Sequence, residues 1–163
     1  MGNLKQIGLA CYQYASIMRW EDEFPMAQYY SSQNGLYLLL HTKKLDFNRL
    51  CPQKVQEKGE GFLWSINHYA YIGTGFNLKD AAKIPIAMEY PQMLSEYRNT
   101  INILFLDGSV QSFNFNKSYN LSCSDIINAY IQSNNISEKD AEKLIRNANM
   151  ADEEFVYRQN HNN

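Results

Sequence analysis

The stretch Ile101-Asn102-Ile103-Leu104-Phe105-Leu106-Asp107-Gly108-Ser109-Val110-Gln111-Ser112-Phe113 decides how the rest of the chain is read. Asp-Gly between two apolar runs is a strong signal for a β-hairpin. Gly has no Cβ to obstruct positive φ, and Asp tolerates that region. The dipeptide therefore predicts a two-residue type I′ loop at Asp107 and Gly108. That register pairs Leu106 with Ser109 and Phe105 with Val110, an aromatic with a β-branched residue. The first arm is apolar on both faces, with Ile101, Ile103 and Phe105 on one and Leu104 and Leu106 on the other. Such a strand belongs inside a sheet covered on both sides. The second arm, through Phe115, is mixed, which places it nearer an edge.

Working outward, residues 3–20 carry Leu4, Ile7, Gly8, Cys11, Tyr14, Ala15 and Met18 at helical spacing, with Lys5, Gln6, Gln13 and Arg19 off that stripe. This predicts an amphipathic helix that packs on the sheet. Pro25 ends any continuation, and residues 21–33 read as loop. Residues 35–44 read as a short helix, with Leu36, Leu39 and Leu40 in phase. Residues 46–52 read as extended and 53–61 as a charged surface loop. Tyr69 to Ile72 and Ile84 to Tyr90 read as strands, Pro85 being compatible with a strand start or an edge. Beyond the hairpin, Ser122-x-x-Asp125 and Ser137-x-x-Asp140 resemble capping boxes, each followed by an amphipathic run. They predict two helices joined by Ser133-Asn134-Asn135, with a further turn around Phe155, Val156 and Tyr157. The expected fold class is α+β: an N-terminal amphipathic helix on an antiparallel sheet, residues 1–120, and a C-terminal helical pair, residues 121–163, packed on or beside it.

The chain has 163 residues, 45% hydrophobic and 20% charged, enough for a folded core. Its net charge of −2 gives no basic excess for a phosphate backbone, so no nucleic-acid partner is expected. The apolar runs fall far short of the about 20 residues that a membrane span needs. Cys11, Cys51 and Cys123 form no Cys-x-x-Cys pair. The odd count leaves at least one thiol unpaired, and a Cys11–Cys51 disulfide stays open. His41, His68 and His161 are scattered, and no nucleophile elbow, phosphate loop or dinucleotide fingerprint is present. No cofactor, metal site or catalytic residue is expected. Asp107 could join Glu89 or Glu96 on a cation, but calcium takes six to eight oxygens, and a turn role explains Asp107 without one.

Several blocks together carry a family resemblance. They are Asn3 to Ala10 with Tyr14-Ala15 and Phe24-Pro25, Leu50-Cys51-Pro52, Tyr69-x-Tyr71, the Pro85 strand, and Asn102-Ile103-Leu104-Phe105-Leu106-Asp107-Gly108-Ser109-Val110. In this order the chain resembles the prepilin-type processing-associated proteins, pilin-like bacterial proteins named for a His, nine residues, then Asp-Gly. The resemblance covers about residues 3–115. Asp107 and Gly108 match the motif, whereas Tyr97 stands where the family has His. A phenol with a pKa near 10 cannot serve as a neutral-pH proton carrier, so a structural role for that position is expected.

The resemblance implies a pilin-like fold in which residues 3–20 are the exposed half of a long helix whose membrane half is missing here. It implies a non-enzymatic pseudopilin-like subunit of a type II secretion or type IV pilus-like system. Such a subunit would be extracytoplasmic and anchored to the inner membrane through the missing segment. Its partners would be other pilin or pseudopilin subunits and the prepilin peptidase. The alternative is an extracytoplasmic ligand- or glycan-binding module on a pilin-like anchor, since twelve Tyr could supply a contact surface. A third reading is a small hydrolase using His68 with Glu89 or Asp107.

Overall fold

The computed structural model of the chain describes residues 2–17, 36, 39, 42, 45–94, 98–115 and 121–161. Tyr97 and Glu96 lie outside the described residues, as do Met18, the predicted loop at 21–33 and most of the predicted helix at 35–44. Leu36 and Leu39 are helical and buried, in keeping with their predicted phase.

Helix α1 spans Gly2–Ile17. A 3-10 turn at Phe47–Leu50 and two helices, α2 (Gln53–Gln56) and α3 (Gly61–His68), lead into the sheet. Strands β1 (Tyr69–Tyr71), β2 (Pro85–Glu89), β3 (Thr100–Phe105) and β4 (Val110–Asn114) pair antiparallel in the order β1-β2-β3-β4. Helices α4 (Cys123–Ser133) and α5 (Glu138–His161) close the chain. The α+β class is therefore correct, with helices at both ends of the sequence around a four-stranded antiparallel sheet. As the hairpin arms implied, β3 is internal and buried from Ile101 to Phe105, and β4 is the edge with exposed Gln111, Ser112 and Asn114.

The two faces of the sheet are covered by different helices. Tyr69, Tyr71, Ala87, Glu89, Asn102 and Leu104 share one face by register. Leu4, Ile7, Ala10, Cys11 and Ala15 of α1 are buried against it, and Gly8 sits over Leu104. The other face carries Ile101, Ile103, Phe105 and Phe113. There Tyr130 of α4 packs with ring centroids 5.5 Å from Phe105 and 6.4 Å from Phe113. Asn147 of α5 donates from Nδ2 to the carbonyls of Ile72 and Thr74, at 2.9 and 2.8 Å. Tyr90 donates to the Ala151 carbonyl at 3.3 Å and packs 5.0 Å from Phe155. The C-terminal helices thus lie on the sheet opposite α1, and one apolar cluster runs from α1 through the strands to Phe155.

Both C-terminal helices start as their capping signals imply. Ser122 accepts from the Asp125 N–H while Asp125 accepts from the Ser122 N–H, satisfying two orphan donors of α4. Ser137 likewise accepts from the Asp140 N–H at 3.2 Å. Helix α5 has Glu138 and Asp140 in its first turn and Arg158 and His161 in its last, which favours the helix dipole. It runs unbroken through Phe155, Val156 and Tyr157, so the separate turn expected there is absent.

Three expectations are corrected. The hairpin loop has three residues, not two: Leu104 pairs with Val110 and Ile103 with Gln111. Gly108 N–H donates to the Phe105 carbonyl at 2.9 Å, and Gly108 follows that turn with φ 78°. This is the hairpin with a left-handed Gly after the turn, rather than type I′. The one-residue change moves Val110 to the α1 face instead of opposite Phe105. Second, residues 47–50 coil instead of extending, because the Asp46 carboxylate accepts from the Asn48 N–H at 3.1 Å and starts a 3-10 turn. Third, the segment read as a charged loop contains α2. It is followed by α3, where Ser65 is buried and donates to the Gly61 carbonyl at 2.8 Å.

Candidate functional site

The residues with functional potential gather at the two ends and the outer side of α1. At its C-terminal end stands the Asp-Gly turn. The Tyr12 hydroxyl donates to the Leu106 carbonyl, and a Cβ on Gly108 would lie 3.5 Å from the Tyr12 ring. Asp107 Oδ1 accepts from the Ser109 N–H at 2.8 Å, and the Asp107 N–H donates to the Ala82 carbonyl at 3.2 Å. Asp107 is thus a turn-forming residue that closes over its own backbone. Burial, then the nearby Asp107 carboxylate, pushes the Tyr12 hydroxyl above its ordinary pKa and keeps it a donor.

At the N-terminal end of α1, a polar cluster occupies the same sheet face. Asn3 donates to the Leu50 carbonyl at 2.6 Å and to the Tyr69 hydroxyl at 2.9 Å. Arg98 forms a bidentate pair with Glu89 at 3.2 and 2.6 Å, and Glu89 Oε2 also accepts from the Asn102 N–H at 2.9 Å. Ser112 donates to Asn102 Oδ1 at 2.8 Å. Burial raises the Tyr69 pKa, with Asn3 acting in the opposite direction. The planar fork of Arg98 matches a carboxylate geometrically, so this pair links the end of β2 to the segment leading into β3 while staying partly wet. Sequence order could not reveal it, because its members come from α1, β1, β2, β3 and β4.

Between these ends, Lys5, Gln6, Leu9, Gln13 and Ser16 form the exposed side of α1, with Leu9 60% exposed. Apart from Leu9 this side is polar.

The structure does not assemble the hydrolase grouping. His68 ends α3 with its ring stacked on Trp64 at 3.8 Å and Nδ1 2.7 Å from the Trp64 carbonyl. Glu89 is held by Arg98 and Asn102. Asp107 lies in the loop beyond the end of β3, whose last residue Phe105 is three strand positions, about 10 Å, from Asn102. Among the described residues no hydrogen bond joins His68, Glu89 and Asp107 to one another. Among the described residues no three His, Cys, Asp or Glu converge as ligands for a metal. Cys11, Cys51 and Cys123 are all free and buried. Burial pushes the thiols of Cys11 and Cys123 up, which suppresses the nucleophilic thiolate.

No helix among the described residues is long and apolar enough to cross a membrane. Comparisons with protein-family models, with curated proteins and with solved structures return no match.

Proposed function

We propose that this chain is the pilin-like domain of a non-enzymatic pseudopilin-like subunit. It would be extracytoplasmic and act in a bacterial type II secretion or type IV pilus-like system. The observation that carries the reading is the placement of α1. It lies along β3 with its apolar side committed to the sheet, its polar side outward, and the Asp-Gly turn against its C-terminal end. A helix so held is a rigid strut. An apolar helix preceding Asn3 could extend it into the membrane and into neighbouring subunits without disturbing the domain. The test uses the full-length protein in its native host. Membrane fractionation, N-terminal processing by a prepilin peptidase, and crosslinks between subunits near residues 3–8 are expected. A free, unprocessed protein in the soluble fraction would reject the reading.

A second reading rests on the Trp64–His68 stack, beside which Leu63 is 59% exposed and Tyr69 meets Trp64 edge-on at 6.0 Å. Such a ledge suits a sugar ring. Oligosaccharide titration followed by NMR should perturb Trp64 first, and loss of all binding in Trp64→Ala would favour this reading. Shifts absent across neutral, acidic and amino sugars would reject it.

A further inference from the structure

Helix α5 has two working sides. Leu144, Asn147, Ala148, Ala151 and Phe155 face the sheet. Several charged groups are also committed inward or sideways. Lys143 donates to the Gly75 carbonyl at 2.9 Å, Arg158 donates to Tyr90 at 3.0 Å, and Asp152 binds the first turn of α4. The outer side is different. Glu142, Ile145, Arg146, Asn149, Met150 and Glu153 line a shallow groove of about 410 Å³. Ile145 and Met150 are half-buried yet stand outside the apolar core, and Val156 and Tyr157 continue the side at 57% and 63% exposure. Arg146 and Glu153 are exposed and make no ion pair among the described residues.

This side is complementary to itself. Residues 146 and 153 lie equally far from a point between Asn149 and Met150. Two copies of α5 crossing antiparallel about that point place Arg146 of each copy against Glu153 of the other. Met150 then lies beside the second copy's Asn149, next to the two-fold axis, and Glu142 falls beside the second copy's Tyr157. A parallel crossing in register would instead oppose Arg146 to Arg146 and Glu153 to Glu153. Charge therefore selects one orientation, the isologous one that closes a dimer. We infer that the outer side of α5 is a homodimer interface, whose occupant is α5 of a second copy of this chain. A contact of one helix per copy is at the low end of specific interfaces, so the association is weak. The inference is independent of the pilin-like reading, because α5 lies on the sheet face opposite α1.

Sedimentation velocity over a concentration series tests it. The chain should shift from monomer to dimer, and the shift should weaken with added salt. Arg146→Glu and Glu153→Arg should each weaken association at least tenfold, by placing like charges across the axis twice. The double exchange Arg146→Glu with Glu153→Arg should restore it. Far-UV circular dichroism should show each variant folded, since both positions are exposed. Met150→Cys should form a disulfide-linked dimer on mild oxidation, the three native thiols being buried. A monomer at every concentration would overturn the inference. So would a dimer indifferent to the single charge reversals, or a double exchange that fails to recover association.

Discussion

Gly8 of α1 lies so close to Leu104 of β3 that a Cβ on Gly8 would sit 2.9 Å from Leu104 Cδ1 and 3.3 Å from Cδ2. Glycine within a helix costs about 1 kcal/mol relative to Ala, and here its absent side chain lets helix and strand approach. Gly8→Ala should fall within about 1 kcal/mol of the parent, because helix propensity offsets a small displacement of Leu104. Gly8→Leu has no space and should lose about 3 kcal/mol. In a double-mutant cycle measured by urea unfolding, Leu104→Ala should recover part of that loss. Strict additivity of the two substitutions would show that they do not touch.

The turn gives the second prediction. Gly108 has φ 78°, where a β-branched side chain is strained. Gly108→Val should therefore destabilise the chain by about 1–3 kcal/mol. Asp107→Ala removes the acceptor of the Ser109 N–H and should cost about 1 kcal/mol. If Asp107 serves the turn alone, that cost is unchanged by calcium. A saturable calcium-dependent rise in Tm that Asp107→Ala abolishes would make Asp107 a ligand instead.

Asp152 supports the third. Its two oxygens accept from the Cys123 N–H, the Ser124 N–H and the Ser124 hydroxyl at 2.8, 2.9 and 2.7 Å. These bonds tie α5 to the start of α4 with a carboxylate at a helix N-terminus. Asp152→Ala should cost about 2–3 kcal/mol, and Asp152→Asn less, because its amide retains one acceptor oxygen. Hydrogen exchange should show the added opening at α4 before the sheet. Equal exchange rates in α4 of parent and variant would disprove the tie.

Alkaline pH gives the fourth. Burial raises the pKa of the thiols of Cys11 and Cys123 and of the phenols of Tyr71 and Tyr90. In the unfolded chain these groups lose protons near their ordinary values of 9.0 and 10.0, while the folded chain keeps them. The unfolded state then binds fewer protons, so stability falls as pH rises. Their contribution is full below pH 9 and declines above it, by up to about 1.4 kcal/mol per pH unit for each group titrating. Tyr71→Phe should make the decline shallower above pH 10. Urea unfolding from pH 8 to 11 measures this, and identical slopes for parent and variant would remove Tyr71 from the account.

The local signals read in the sequence hold where the physics is local. The buried stripe of α1, the capping Ser122 and Ser137, the internal position of β3 and the edge position of β4 all follow from side-chain period and neighbouring turn residues. Asp107-Gly108 announced a hairpin, yet the loop length depended on which backbone pairs β3 could form, so Val110 moved one register position. The turn at Phe47–Leu50 was missed because a single Asp46 hydrogen bond outweighs a weak extended preference. Helix α3 was missed because eight residues ending at a strand carry too few apolar periods to register. Only tertiary structure could bring Asn3, Tyr69, Glu89, Arg98 and Asn102 together, separate His68 from Asp107, and set α4 and α5 opposite α1. Those relations join residues distant in the chain, and their free energy arises from burial and pairing that exist only after the sheet has formed.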